Sequence, residues 1–411
     1  MDSLPAELVV AICHSLTLKD ALALRGALPW IPLRDCFVSQ PHNIQKVMGK
    51  VSGDPLYISI MTQIGSREDV DYRDVLQKSA EHGHVEVLKC LKEEFGLGGE
   101  DARAKANYAL RVSAKCGHVG VLKLLKDGFG LGREDARAED NYALRHAAEN
   151  GHVEVLKCLK DEFGLGREDA QVNDNEALRS SAANGHMEVL KCLKDEFGLD
   201  KEDARADDNA ALCSCAANGY VEMLKCLKDG FGLGKEDAQA DNNFALRWAA
   251  MNGYVEVLRC LKYEFGLGKE DARVNHSIPL QWSARNGHVE VLKCLKDEFG
   301  LGREDAQAEN SDALRWAAEF GHVEALKCLK DKFGMRREDA QANDNHILRW
   351  AAYYGHVDVL KVLKDEFGLT KEDARARCNW ALRWADINRN LEALQFLKYE
   401  FGLGGSEFNA E

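Results

Sequence analysis

The sequence lacks any apolar run that could cross a membrane. None of its stretches approaches the ~20 consecutive apolar residues that a membrane-spanning helix needs. It also lacks an excess of positive charge, since 54 Lys and Arg face 68 Asp and Glu and the formal net charge is −14. This balance argues against a protein that coats nucleic acid or an anionic membrane, because both tasks select basic surfaces. We therefore expect neither nucleic acid nor a membrane as the partner.

Cysteine and proline are also sparse. The 13 cysteines in 411 residues are far fewer than a disulfide scaffold of this length would contain. The opening MDSLPAELVV carries Asp2 and Glu7 where a secretory signal peptide has basic residues. We therefore expect a cytoplasmic protein without a signal peptide. Five of the six prolines lie in the first 55 residues, and this shift in composition predicts a domain boundary near residue 70.

What the sequence does contain is a repeat. A segment similar to GHVEVLKCLKDEFGL recurs every 34 residues without an insertion, and an altered last copy surrounds Arg389. A fixed period of this length is typical of solenoids. The pattern predicts ten units, the last of them a degenerate cap, and nine begin their second half with a glycine: Gly83, Gly117, Gly151, Gly185, Gly219, Gly253, Gly287, Gly321 and Gly355.

The segment Asn141–Ala170 shows what one unit contains. We expect Asn141 to cap a first helix with a small-residue face, and Gly151 to end that helix with a positive φ. A second helix starts near His152, with apolar residues at i, i+3 and i+4. Neither helix is long enough to persist alone, so the apolar faces must be buried against neighbouring units. The result is an all-α solenoid.

The run ALRWAAxNGHVEVLKCL resembles the ankyrin repeat, and the resemblance covers roughly residues 70–403. It implies two antiparallel helices per unit and a concave face that binds partners. The usual Thr-Pro-Leu-His is replaced here by a variable residue followed by Ala-Leu-Arg, as in Tyr142 to Arg145. The linking segment is longer than usual, so we expect a short helical turn, capped by Thr370 and reciprocally by Glu372, instead of a β-hairpin finger. This variant resembles repeat proteins of large DNA viruses and unicellular eukaryotes.

Residues 4–30 begin with Leu4-Pro5, Glu7 and Leu8, followed by Ile12 and Leu16 on one helical stripe, and this pattern is similar to an F-box. That family's small helical module docks on the Skp adaptor of cullin–RING ubiquitin ligases. The alternative is an amphipathic helical cap that shields the first repeat. We expect an F-box-like module at 1–40, an irregular helical leading unit at 41–70, repeats at 71–404 and a polar tail at 405–411. The resemblance assigns adaptor contacts to Leu4, Pro5, Glu7, Leu8, Ile12 and Leu16.

Several recurring polar residues could suggest catalysis or metal binding, but a structural role explains them better. The cysteines that recur seven residues after each glycine share their column with Leu124 and Val362, so we expect buried thiols that act as small apolar side chains. The histidines after the glycines are expected to bond the backbone of the turn. Repeated Glu-Asp pairs such as Glu134-Asp135 are expected to be solvated helix-start charges. We predict no catalytic residue, no metal site and no cofactor.

Positions that vary between units identify the surface for a partner. One column is the first residue of the first helix, and another is the pair before the glycine. A third column holds mixed residues in the earlier units and Trp in the last five. These Trp side chains could pack between units, which is the interpretation we favour, or form an aromatic ladder that binds a ligand. Our predicted partner-binding residues on the concave face are Phe244, Met251, Arg285, Phe320, Tyr353, Tyr354 and Trp380.

The sequence thus predicts an ankyrin-type solenoid of about ten 34-residue repeats that follows a small F-box-like module. The leading hypothesis is a monomeric, non-enzymatic adaptor that binds a Skp and cullin complex through residues 1–40 and an unknown target through the repeats. If the source is viral, the host cytoplasm or nucleus is the expected location. The alternative is a plain scaffold or inhibitor, and a weaker one is an enzyme or ligand receptor that uses the Trp column.

Overall fold

The computed structural model describes residues 72–93 and 95–403, except for the side chain of Cys90. All regular elements of these residues are helices, as predicted, and none is a strand. The chain forms two compact units that divide between Leu199 and Asp200. The predictions for residues 1–40, 41–70 and 405–411 lie outside the described residues.

Repeats 1 to 4 make up the described part of the first compact unit. Repeat 1 has a first helix and a second helix, and each later repeat adds a short helix of four residues before them. The helices in chain order are Tyr72–Glu81 and Val85–Glu93; Gly99–Ala102, Ala104–Lys115 and Val119–Asp127; Arg133–Ala136, Ala138–Glu149 and Val153–Asp161; Arg167–Ala170, Val172–Ala183 and Met187–Asp195.

Repeats 5 to 10 make up the second compact unit and follow the same order of short, first and second helix. The helices are Lys201–Ala204, Ala206–Ala217 and Val221–Phe231; Lys235–Ala238, Ala240–Asn252 and Val255–Tyr263; Lys269–Ala272, Val274–Arg285 and Val289–Asp297; Arg303–Ala306, Ala308–Glu319 and Val323–Phe333; Arg337–Ala340, Ala342–Tyr354 and Val357–Asp365; Lys371–Ala374, Ala376–Ile387 and Leu391–Tyr399.

The short helices confirm the predicted helical turn and correct its capping. The residue that caps is the aspartate at the third position of each short helix, not the preceding glutamate, so Asp373 and not Glu372 accepts the N–H of Thr370. Asp169 likewise accepts the N–H of Gly166 at 2.9 Å, and it is only 2% exposed. The prediction that both members of the Glu-Asp pairs are solvated is therefore wrong for the aspartates.

Within each compact unit, an arginine or glutamine of one repeat reaches the capping aspartate of the next repeat. Nε of Arg137 donates to Oδ1 of Asp169 at 2.6 Å in the first compact unit. In the second compact unit, Nε2 of Gln239 donates to Oδ1 of Asp271 at the same distance. The aspartate therefore joins the start of its own helix to the neighbouring repeat, and it can do so with a charged or a neutral partner.

In repeats 2 to 10 the first helix, within the bounds given above, opens with a left-handed turn at its second to fourth residues. Glu139, Asp140 and Asn141 have φ values of 54°, 52° and 55°, a conformation that Asn and Asp tolerate better than most residues. Arg145 of the Ala-Leu-Arg motif closes this turn, because its Nε donates to the carbonyl of Asp140 at 2.7 Å and its Nη2 to that of Glu139 at 3.2 Å. Asn141 is buried within the turn and its Oδ1 accepts no hydrogen bond, so the predicted cap by Asn141 is wrong.

Within each compact unit, the first helices of consecutive repeats pack side by side, and so do the second helices. The Ala and Leu residues of both helices are buried, as at Ala147 and Leu156. The glycine between the helices has a positive φ, and the histidine of the next repeat lies against it, so that a Cβ on Gly151 would meet Nδ1 of His186 at 2.8 Å. This framework leaves the remaining side of each first helix at the protein surface.

Candidate partner-binding surface

The first helix fixes which side chains reach the surface. In repeat 6, Ala245, Leu246, Ala249 and Ala250 are buried. Because helical neighbours lie three and four residues apart, the positions between these buried residues project outward. They are the variable positions at the start, middle and end of the first helix. The structure thus places the predicted partner-binding columns on one exposed side of the first helices.

In the second compact unit these positions hold a row of aromatic side chains that we name the aromatic strip. Its rings contact one another within and between repeats. Trp248 meets Trp282 of the next repeat edge to face, with ring centroids 6.1 Å apart, and Trp350 meets Trp384 at 5.4 Å. The strip consists of Phe244, Trp248, Trp282, Trp316, Phe320, Trp350, Tyr353, Tyr354, Trp380 and Trp384.

Two pairs of the Trp column, Trp248 with Trp282 and Trp350 with Trp384, make ring contacts between repeats, and the column also remains partly accessible. All five of these Trp side chains are half-buried. The most exposed members of the strip are Phe320 and Tyr354, at 42% and 47%. Tyr354 stacks on Trp350 with ring centroids 5.5 Å apart. The strip is therefore an ordered aromatic surface with large exposed parts.

Arginine side chains lie over the rings of the strip. The guanidinium of Arg285 is 4.9 Å from the ring centroids of both Trp316 and Phe320. Arg349 and Arg377 lie 5.4 Å and 5.6 Å from the ring of Trp380. Such contacts hold the flexible arginine side chains in place.

Two titratable side chains beside the strip, His346 and Glu319, have shifted pKa values. Burial is the main cause that lowers the pKa of His346 to about 4, and the positive charges of Arg349 and Arg315 lower it further. His346 is therefore neutral near pH 7 and accepts a hydrogen bond from Nε1 of Trp350. Burial also raises the pKa of the Glu319 carboxyl, although Arg315 and Arg285 oppose that rise.

The first compact unit has a more polar surface at the equivalent positions, as predicted. Polar side chains there contact one another, since Nη1 of Arg145 lies 2.7 Å from Glu176 and Nδ1 of His146 lies 2.5 Å from Glu149. Tyr142 is one of the aromatic rings on this surface, and Arg111 lies over it. An extended aromatic strip is therefore a feature of the second compact unit.

The structure brings all seven predicted partner-binding residues onto this one side of the first helices in repeats 6 to 10. Met251 and Arg285 are half-buried at the ends of their helices, as is Tyr353. Sequence reasoning missed Arg315, Arg349 and Arg377 as neighbours of the rings. The first two occupy the arginine position of the recurring Ala-Leu-Arg motif, which reads Ile-Leu-Arg at Arg349, and this position was not among the variable columns. The six predicted adaptor contacts at the N-terminus lie outside the described residues.

The cysteine and histidine columns have the structural roles expected of them. The thiols of Cys158, Cys192, Cys260, Cys294 and Cys328 are buried and free, whereas Cys226 is only half-buried. Nε2 of His118 and Nε2 of His288 each lie 2.9 Å from a carbonyl oxygen of the preceding repeat. Within the described residues, no group of three or more His, Cys, Asp and Glu is placed to hold a metal ion.

The fold defines a helical repeat protein that carries an aromatic strip on the first helices of its second compact unit. The family model described as "Ankyrin repeats (3 copies)" matches residues 144–243, 212–305, 246–344 and 280–374, which together span more than half of the chain. The chain therefore belongs to the ankyrin-repeat family. Ankyrin repeats are protein–protein interaction scaffolds, which is the functional class of this chain.

Comparison with solved structures finds an ankyrin repeat family protein from Legionella pneumophila. It is 17% identical, the alignment covers 80% of this chain and 97% of that one, and the TM-score is 0.26. No curated protein matches the sequence. None of the helices in the described part of the chain is both long and apolar enough to span a membrane.

Proposed function

We propose that this chain is a non-catalytic adaptor that binds a protein partner through the aromatic strip. The observation that carries the proposal is the exposure of Phe320 and Tyr354, at 42% and 47%. The equivalent residue in many repeats is asparagine, as at Asn184 and Asn286. The framework therefore does not require an aromatic side chain there. Aromatic and arginine residues contribute much of the binding energy at protein interfaces.

The second part of the proposal concerns what the adaptor recruits. The pattern around Leu4, Pro5 and Leu8 supports an F-box that binds a Skp subunit and, through it, a cullin–RING ubiquitin ligase. The repeats would then select the protein to be ubiquitinated. We expect a monomer that acts in the cytoplasm, or in the host cytoplasm or nucleus if the source is viral.

The alternative is a scaffold or inhibitor that binds the same kind of partner and recruits no ligase. Both functions use the aromatic strip, so they differ only at residues 4–30. The test of recruitment is a pull-down with the full chain from a eukaryotic lysate, probed for Skp and cullin subunits. A matched bait carries Leu4→Ala, Pro5→Ala and Leu8→Ala, and circular dichroism checks that its helical content is unchanged. Loss of Skp and cullin with this bait supports the adaptor, and their absence from both pull-downs favours the scaffold.

The test of the strip compares proteins captured by the wild type and by the double variant Phe320→Asn, Tyr354→Asn. The control is Lys293→Ala on a second helix, where Lys293 forms an exposed ion pair with Glu290 at 2.6 Å. We expect proteins that cross-link to the wild type and to the control but not to the double variant. Equal capture by all three chains would contradict a binding role of the strip.

A further inference from the structure

We infer that the Trp residues of the aromatic strip bind a proline-rich segment of a partner protein in the polyproline II conformation. This inference rests on the proposed function, because it names the class of ligand for the same surface. The observation that carries it is a row of unused hydrogen-bond donors. Trp248, Trp282 and Trp316 are half-buried, and none of their indole N–H groups donates a hydrogen bond to another described residue. The three indole nitrogens still reach the surface, so an acceptor on a ligand can approach them.

The same column in repeat 9 shows what a used donor looks like. There Nε1 of Trp350 donates to Nε2 of His346, one helical turn earlier. The equivalent residues of repeats 6 and 7 are Phe244 and Ile278, whose side chains have no acceptor. In repeat 8 the equivalent residue is Asp312, which pairs with an arginine of its own helix. Three consecutive repeats therefore present a free indole donor at the same position.

Charge gives the ligand no preferred sign. The first helices of repeats 6 to 10, within the bounds given above, carry six arginines and six carboxylates. In repeat 6, Asp241 lies 3.6 Å from Arg247. In repeat 8, Arg315 lies 2.7 Å from Asp312 and 3.9 Å from Glu319. Because arginines already engage the carboxylates near the three free donors, an uncharged ligand that accepts hydrogen bonds is complementary to this surface.

A proline-rich segment combines the features that this surface requires. Proline keeps the carbonyl oxygen, which accepts a hydrogen bond, but lacks the N–H that would need an acceptor. Its ring packs on aromatic side chains, and proline-rich segments dock into aromatic-lined grooves in this way. The strip supplies such rings next to the donors, since Phe244 stacks on Trp248 and the 42% exposed Phe320 lies beside Trp316.

The spacing of the donors fits a short segment of this kind. The ring centroids of Trp248 and Trp282 are 6.1 Å apart. Packed helices lie about 8–10 Å apart, and a polyproline II helix advances about 3.1 Å per residue, so one repeat corresponds to about two or three ligand residues. A segment of about seven residues therefore reaches from Trp248 to Trp316. The polyproline II conformation is already formed in the free segment, so little conformational entropy is lost on binding.

A single-stranded nucleic acid is the other ligand that aromatic rings and arginines commonly bind. Proteins of that kind use a groove of positive charge that follows the phosphate backbone. The first helices of repeats 6 to 10 have balanced charges, and the whole chain has a net charge of −14. The observations therefore favour the proline-rich segment, and an oligonucleotide serves as the competing ligand in the test.

The experiment measures fluorescence anisotropy of a labelled peptide of ten prolines with the full chain. A labelled Gly-Ser peptide of the same length is the reference. We expect the proline peptide to bind about ten-fold more tightly or better, because its conformation is preformed and its rings pack on the strip. The double variant Trp248→Phe, Trp282→Phe keeps both aromatic rings and removes two donors. Each lost hydrogen bond should weaken binding of the proline peptide by about two- to ten-fold.

The control variant is Tyr263→Phe, which removes a polar hydrogen from a ring outside the strip. Tyr263 lies at the end of a second helix and is 65% exposed. This variant should bind the proline peptide as the wild type does. A second measurement uses the wild type labelled with 15N-tryptophan, with signals assigned by single Trp→Phe variants. The proline peptide should shift the indole N–H signals of Trp248 and Trp282 more than that of Trp350.

The inference would be overturned if the wild type bound the proline peptide no better than the Gly-Ser peptide, or bound neither. Tighter binding of a poly-dT oligonucleotide, or unchanged binding by the double variant, would also overturn it. If the double variant fails to unfold cooperatively in urea, the indole shifts of the wild type decide. The proposed function would still stand in each case if cross-linking detects partners that need Phe320 and Tyr354.

Discussion

Removal of the Asp169 carboxylate should weaken the joint between two repeats. This side chain is 2% exposed and accepts three hydrogen bonds: from Nε of Arg137 at 2.6 Å, from the N–H of Gly166 at 2.9 Å and from Nη2 of Arg133 at 3.1 Å. Hydrogen bonds to a charged group contribute roughly 1.5–3 kcal/mol each. After the substitution, water can hydrogen-bond to Arg137 and Arg133, so the loss of their two hydrogen bonds costs less than this. We expect Asp169→Ala to cost about 2–4 kcal/mol.

The chain provides matched controls for this variant. Glu168 precedes Asp169 in the same helix but is exposed, so Glu168→Ala should cost less than about 1 kcal/mol. Arg137→Gln should be milder than Asp169→Ala, because Gln239 already fills this role for Asp271 in the second compact unit. Asp169→Asn keeps one acceptor oxygen, so its loss of unfolding free energy should lie between those of Arg137→Gln and Asp169→Ala.

The assay is urea unfolding of the full chain followed by far-UV circular dichroism. Amide hydrogen exchange measured by mass spectrometry then locates the change, which we expect in residues 133–175. The reasoning would be refuted if Asp169→Ala and Glu168→Ala unfolded at the same urea concentration. Loss of protection spread evenly over both compact units would also refute a local joint.

Three further predictions concern acid, glycine and thiols. Burial raises the pKa of Asp169, but its hydrogen bonds lower it to a net value below the ordinary 3.8, and the pKa values of Asp135 and Asp237 are lowered in the same way. The stability that these ionised aspartates contribute is complete above about pH 4 and is lost as the pH falls through the lowered pKa values. At pH values below 4 the urea midpoint of unfolding should therefore decrease, and it should decrease less steeply for Asp169→Asn. In Gly287→Ala the new Cβ would meet His322 at 2.6 Å, whereas in Gly300→Ala it would meet no atom within 4 Å. Gly287→Ala should therefore lower the free energy of unfolding by about 1–3 kcal/mol more than Gly300→Ala does. Urea unfolding of both variants measures the difference. Burial raises the pKa values of the thiols of Cys158, Cys192 and Cys260 to about 11, so peptide mapping after mild alkylation at pH 7 should find these three unmodified and the exposed Cys378 modified.

The sequence allowed prediction of the fold wherever the signal was local. The period, the two helices and the short helical turn all follow from apolar spacing and glycines within a single unit. The role of Asp169 could not be predicted in this way, because its partner Arg137 lies 32 residues away in the sequence. The left-handed turn has a local signal that was overlooked. Its third residue is always Asn or Ser, and such small polar residues tolerate or stabilise unusual turn geometry.

The surface was predictable from variation among the repeats, but its chemistry was only partly so. Phe320 and Tyr354 occupy variable columns and were identified. Arg349 occupies the arginine position of the recurring Ala-Leu-Arg motif, although Ile347 replaces the Ala, and like Arg145 it donates to a carbonyl of the left-handed turn. Its second contact, with Trp380, arises only where the next repeat supplies an aromatic ring. A single column of the repeat therefore cannot reveal it.

The final prediction tests whether Phe320 and Tyr354 contribute to the stability of the fold or to binding of a partner. At the position of Phe320 and Tyr354, other repeats use an asparagine that bonds the preceding repeat, and Nδ2 of Asn286 donates to the carbonyl of Met251 at 2.7 Å. Phe320→Asn and Tyr354→Asn therefore replace exposed rings with the side chain that the framework already accommodates. Exposed large aromatic side chains confer little stability, so we expect the urea midpoint to be unchanged or slightly higher.

The same double variant should lose the partner, because it removes the most exposed rings of the aromatic strip. A change that leaves stability intact and abolishes binding would mean that these rings are kept for recognition. If the double variant instead unfolded at a much lower urea concentration, the rings would be part of the packing, and the exposed fractions of 42% and 47% would not mark a binding surface. Unfolding and binding measured on one preparation distinguish the two outcomes.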